Sequence, residues 1–188
     1  MDVHQVGRVF ELIDREIWII TAAHDGRRAG LVATFVTSAS IVAEMPRIIA
    51  GLAKTHETRN LVEASGAFAA HLVEETQTEL VWRFGLQSSR DVDKFAGLDV
   101  EIAATGSPIL RDTPAWLDCR VESQMDTGDR TVFLGEVCDG RSKSDFQPLR
   151  MHKLLALATP AERQTMREQL AADAAIDVEA IRRWRAGR

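Results

Sequence analysis

The spacing of apolar positions changes several times along the chain. Val6, Val9, Phe10 and Ile13 recur at helical intervals in VGRVFELID and predict a short amphipathic helix. The following run, EIWIITAAH, is β-branched and aromatic and predicts a strand. HDGRR supplies an Asp25-Gly26 turn, and LVATFVTSAS is expected to return as the second arm of a hairpin. RIIAGLA and GAFAAHLV predict further strands. Between them HETRNLVEASG reads as a short helix, with Thr55 as N-cap and Gly66 as its stop. TQTELVWRFG predicts another short helix. GLDVEIAAT, AWLDCRVESQM and RTVFLGEVCDG add strands, the last two joined across DTGD.

Strands arriving through hairpins, without regular strand–helix–strand alternation, favour a mainly β, antiparallel barrel with short helices over a doubly wound sheet. From Thr159 strand propensity fades. Thr159 and Glu162 form a capping-box pattern with Pro160 at the first helical position, so a helical tail of one or two helices is expected. The chain therefore reads as a barrel domain over 1–158 and a helical extension over 159–188. Met166, Leu170, Ile176 and Ile181 give the tail an apolar stripe suited to a partner helix or to the protein's own dimer.

Composition narrows the function classes. With 188 residues, 45% hydrophobic and 27% charged, a sizeable core is possible, and a net charge of −5 argues against a nucleic-acid partner. No apolar run approaches the ~20 residues that cross a bilayer, so no membrane span is expected. Cys119 and Cys138 both lie in strand-like runs, and buried free thiols in a cytoplasmic protein are the expectation. His56 and His71 belong to no metal-ligand cluster and are expected to be structural or solvent-facing.

The order of IWIITAAHDGRRAG, TSAS, Pro46, KTHET, LVEASGAFAAHLV, WRFG, DKFAGL, GSPIL, AWLDCRV and TGDRTVFLGEV resembles the flavin reductase-like family of FMN-binding split barrels, over roughly Phe10 to Asp139. The resemblance implies non-covalent FMN or FAD, NADH or NADPH as hydride donor, and a homodimer with the flavin near the subunit interface. It implies flavin reduction, with a monooxygenase as the partner that reduced flavin could supply. Thr34, Phe35, Thr37 and Ser38 would run along the flavin. Gly51, Leu52, Ala53, Lys54 and Thr58 would lead to its phosphate at a helix start, and Arg83 and Phe84 would meet its edge. The physics agrees with that use, because short hydroxyls and small residues let backbone approach a flat ring, and helix starts favour anions.

Several positions depart from the family pattern. Phe35 sits one place earlier than the usual aromatic, and Glu57 stands where a basic residue is common. Arg130 occupies the place of a histidine expected near the nicotinamide, and FQPLRMHKLLALA replaces an aromatic-rich segment. Arg130 could hold a dinucleotide phosphate or only cover a surface turn. A non-catalytic flavin-binding or interaction module is therefore the alternative to a reductase.

Overall fold

The structure, a computed structural model, describes residues 2–89 and 92–187. Helix α1 (Val3–Glu11) starts at Asp2, whose carboxylate accepts the His4 and Gln5 amides at 2.9 and 3.2 Å. Strands β1 (Trp18–His24) and β2 (Arg27–Ala33) pair from Trp18↔Ala33 to His24↔Arg27. Asp25 and Gly26 have φ of 48° and 73°, a turn whose twist matches the flanking strands.

Strand β1 is covered on both faces. Ile20 and Ala22 pack inside the barrel with Leu31, Phe68 and Phe133. Ile19 packs outward, with Val81, Phe84, Phe95 and Leu149. Two apolar faces explain why EIWIITAAH lacks the alternation of a half-wet strand.

LVATFVTSAS is not one strand, contrary to expectation. Strand β2 ends at Ala33, Thr34 and Phe35 break the run, and β3 (Val36–Ser38) pairs elsewhere. Its partner is β4 (Arg47–Ala53), with Val36 opposite Ala50. Thr, Phe and Val all favour strands, so propensity carries no sign of the break. The choice of pairing partner makes it.

Helix α2 (Glu57–Ser65) has His56 as N-cap rather than Thr55, and ends at left-handed Gly66 as expected. Strand β5 (Ala67–Leu72) and helix α3 (Thr78–Leu86) follow. GLDVEIAAT shrinks to β6 (Val100–Ile102), which pairs with an unforeseen β7 (Pro108–Leu110). Strands β8 (Ala115–Asp126) and β9 (Arg130–Ser142) form a long hairpin. The seven-stranded sheet runs β2-β1-β5-β8-β9-β4-β3, antiparallel throughout. It curls until β2 meets β4, giving the expected barrel.

Helix α4 (Met151–Leu157), also unforeseen, plugs Leu154 into the outer cluster. The tail is a single helix, α5 (Pro160–Ala186), about 40 Å long at 1.5 Å per residue. Its capping box forms as expected: Glu162 N donates to Thr159 Oγ1 at 3.2 Å, and Thr159 N to the Glu162 carboxylate at 2.7 Å. Of the expected apolar stripe, Met166 and Ile181 are half-buried against the rest of the chain, whereas Leu170 and Ile176 stay exposed. The half-buried positions are Glu162, Arg163 and Met166 near one end and Asp177, Ala180, Ile181 and Trp184 near the other.

Both cysteines are free, but only Cys119 is buried. In the β8–β9 pairing Asp118 faces Asp139 and Cys119 faces Val137, so Cys138 is the extra residue of a bulge and turns outward. Among the described residues no helix is long and apolar enough to cross a membrane, and no cluster of three metal-ligating side chains occurs.

Candidate functional site

The curl of the sheet and the return of α3 leave a cleft of about 370 Å³ between the start of α2 and the end of α3. Thr58 from α2, Ser88 and Ser89 after α3, Lys94, and Gln169 and Asp173 from α5 all line it. Thr58, expected near a phosphate, is buried in the first turn of α2.

Lys94 is the residue that sequence reasoning missed. It is only 4% exposed, and its Nζ donates to Gly30 O at 2.9 Å and Phe84 O at 2.8 Å. An ammonium has three protons, so one donor remains beyond those two carbonyls. Burial lowers its pKa to about 8, which leaves it mostly protonated at pH 7. The only hint in the sequence was its place inside DKFAGL. Hydroxyls over a buried cation suit an anionic or hydrogen-bond-accepting group, so the donor set of the cleft fits the phosphate side or pyrimidine edge of a flavin.

The hydroxyl thread lies apart from this cleft. Thr37 and Ser38 open onto a groove of about 730 Å³ walled by Trp18, Leu72, Trp116, Leu117 and Val137. Thr34 is half-buried at the strand break, and the 47%-exposed Phe35 lies between the two cavities in the chain. The guanidinium carbons of Arg15 and Arg130 stand 5.3 and 4.9 Å from the Phe35 ring centroid. Gly51 N donates to Phe35 O at 2.8 Å, tying this segment to β4.

Other expected contacts fall elsewhere. Leu52 and Ala53 are buried in β4. Lys54 does not enter the cleft lining; its Nζ lies 2.6 Å from Asp126 Oδ1. The Lys54 ammonium and the Gly128 amide hold the Asp126 carboxyl below its usual range. Glu57 pairs with Arg27, so the acid at this usually basic position is met by a cation. Arg83 donates to Ala96 O at 3.0 Å and lines a separate hollow with Leu110. Phe84 is core, edge-on to Phe95 at 5.3 Å. Both residues lie on α3, but their side chains leave the cleft.

Arg130 sits on the β8–β9 turn between two carboxylates, Asp129 at 3.2 Å and Asp177 of α5 at 3.1 Å. Burial raises the Asp177 pKa, Arg130 opposes that rise, and Asp129 and Asp173 add to it. The guanidinium is thus engaged by the protein's own acids.

Residues 10–154 match the family described as flavin reductase like domain. The chain belongs to this family. A ferric-chelate reductase (NAD(P)H) of Archaeoglobus fulgidus is 31% identical over 142 residues, covering 74% of this chain and 83% of that protein. The HsaB reductase subunit of a flavin-dependent monooxygenase from Rhodococcus jostii is 34% identical, covering 73% and 68%. A solved homologue of nitrilotriacetate monooxygenase component B from Mycobacterium thermoresistibile superposes with a TM-score of 0.69 at 28% identity, covering 85% and 90%. The expected split-barrel flavin reductase fold is therefore borne out. The flavin reductase-like region stops before α5, which begins six residues past its end.

Proposed function

We propose that this member of the flavin reductase-like family is an NAD(P)H-dependent flavin reductase, binding FMN or FAD with its phosphate side in the α2–α3 cleft. The observation that carries the assignment is the placement of a buried cation and buried hydroxyl in one cleft within a family-matched barrel. Bound flavin would supply the redox chemistry, taking a hydride from NADH or NADPH. The chain's part is to bind, orient and exclude water. Lys94 would place fixed positive charge under the anionic side of the ligand, and Thr58 would donate a hydroxyl. Phe35 and the Gly51-anchored backbone would bound the path from the cleft toward Thr37 and Ser38.

A homodimer accounts for the groove. Its lining residues Ser40 and Pro46 flank the exposed Ile41 and Met45 of the β3–β4 loop, and Val9 and Phe10 of α1 are further exposed apolar side chains. A second copy of the chain would bury this surface and bring Thr37 and Ser38 to an interface. Supply of reduced flavin to a monooxygenase follows the role named for the HsaB relative, and a cytoplasmic site would suit the free thiols.

The test is a titration of FMN and of FAD against the wild-type protein, followed by flavin fluorescence. Micromolar binding, about −8 kcal/mol, is expected for one of them. Thr58→Val keeps the shape and removes one donor. It is expected to weaken flavin about two- to tenfold, the equivalent of 0.5–1.5 kcal/mol, while the urea midpoint moves little. A folded protein that binds neither flavin at a hundred times that concentration would sink the assignment. The second reading, a flavin-binding module without turnover, draws on the engagement of Arg130 by two carboxylates. It is favoured instead if flavin binds but neither NADH nor NADPH is oxidised anaerobically.

A further inference from the structure

Helix α5 lies outside the family-matched region, yet it reaches both the α2–α3 cleft and Arg130. Its contacts recur every three to four residues along one stripe, as one helix face requires. Met166 packs on the outer core cluster, Gln169 donates to Leu86 O at 3.3 Å, and Asp173 forms part of the cleft wall. One turn further, Asp177 meets Arg130. At the far end the helix presses on the β8–β9 turn so closely that a Cβ on Gly128 would stand 2.9 Å from the Trp184 Cβ and 3.2 Å from Ala180 O. The helix is therefore held at both ends and bridges the cleft between them. No residue of α5 is fully buried. Among the described residues, a short patch at the turn and the half-buried Arg130–Asp177 ion pair help hold the distal half, with His56 also near Asp177.

The chemistry of that pair matters. Asp173 and Asp177 are one turn apart on the same face, one beside the cleft that contains Lys94 and the other on Arg130. They put carboxylates where the chain otherwise offers cations to an anion. We propose that α5 is an autoinhibitory strap: its distal half, latched by Asp177 on Arg130, closes the cleft and competes with the phosphate-bearing ligand for it. This rests on the flavin reading for the identity of the ligand, but the latch itself does not. When the strap lifts, Arg130 exchanges Asp177 for solvent or ligand phosphate, and the barrel beneath is unchanged. The device differs from a mere packing helix, because loosening it should speed ligand entry without weakening the sheet.

The experiment uses the full chain, as wild type, Asp177→Asn and Asp177→Glu, with FMN as probe in stopped-flow fluorescence and with amide hydrogen exchange. Asp177→Asn is expected to raise the FMN association rate constant about fivefold, because the open population rises by that factor. It is also expected to hasten exchange over residues 173–186 while the amides of β1, β5 and β8 exchange as in the parent. Asp177→Glu should restore much of both. Adding FMN to the wild type should hasten exchange over residues 173–186, since ligand displaces the strap. Added protection there would overturn the proposal, as would an Asp177→Asn variant matching the parent in both readouts. If FMN binds neither protein, the flavin reading has failed. The latch is then judged by exchange alone, and unchanged exchange in Asp177→Asn overturns it.

Discussion

Phe84→Ala is expected to lower the unfolding free energy by about 3–5 kcal/mol, the range for truncating a buried aromatic. The side chain is 1% exposed, meets the edge of Phe95 at an interplanar angle of 81°, and presses on Gly30. A Cβ at Gly30 would come within 2.5 Å of the Phe84 Cε1, so the ring fills its space completely. Its own carbonyl oxygen holds Lys94, so a collapse here would also disturb the floor of the cleft. Urea unfolding at pH 7.5 measures the loss. Phe84→Leu separates the two roles that the family resemblance left open. As a core residue it should cost about 1–2 kcal/mol of stability and leave flavin affinity near the parent's. Weakened flavin binding with parental stability would restore Phe84 as a ligand contact.

Stability should fall by as much as about 3 kcal/mol as pH drops from 6.5 to 4, and His71 is the cause. The ring is fully buried between strands, where Nε2 accepts the Leu110 amide at 3.0 Å and Nδ1 donates to Ile19 O at 3.0 Å. Both nitrogens are thereby committed to the neutral form. Burial pushes its pKa from 6.5 down to about 4, partly offset by the Ile19 hydrogen bond. A depressed folded-state value means that the unfolded chain takes up the proton first. The stabilisation is complete above pH 6.5 and drains away as pH falls toward 4. Asp93 and Asp126, whose pKa values are lowered by Arg28 and Lys54 respectively, lose their contributions only in more acidic solution. Urea midpoints at pH 7.5, 6, 5, 4 and 3 resolve the two windows. His71→Leu should be weaker at pH 7.5 and flatter between 6.5 and 4. A parent whose midpoint is constant across that interval would contradict the account.

Legibility of the fold followed the range of the forces involved. The hairpin at Asp25-Gly26, the stop at Gly66 and the capping box at Thr159 are local devices, and each was readable from a few neighbouring residues. The break at Thr34-Phe35 was not, because it comes from β3 choosing β4 instead of β1. Strand β7 is three residues long and begins with Pro108, too short for any period to show. The site divides the same way. Family order located Thr58 on the helix start, but the outward aim of Arg83 depends on Ala96, and the inward aim of Phe84 depends on Gly30 and Phe95. Lys94 became a buried cation only because carbonyls from two distant segments converge on it.

The bulge in the β8–β9 hairpin leaves the protein with a ready-made reporter. Burial and the nearby Asp118 carboxylate push the Cys119 thiol far up, which makes it inert to thiolate chemistry, whereas Cys138 faces solvent. A maleimide dye added to the native chain should therefore attach once, at Cys138, as intact mass would show. That position lies between Val137 and Gly140 at the rim of the large groove. A polarity-sensitive dye placed there would dim or shift on dilution if the proposed second copy leaves, turning the proposed assembly into an optical signal without adding a single residue.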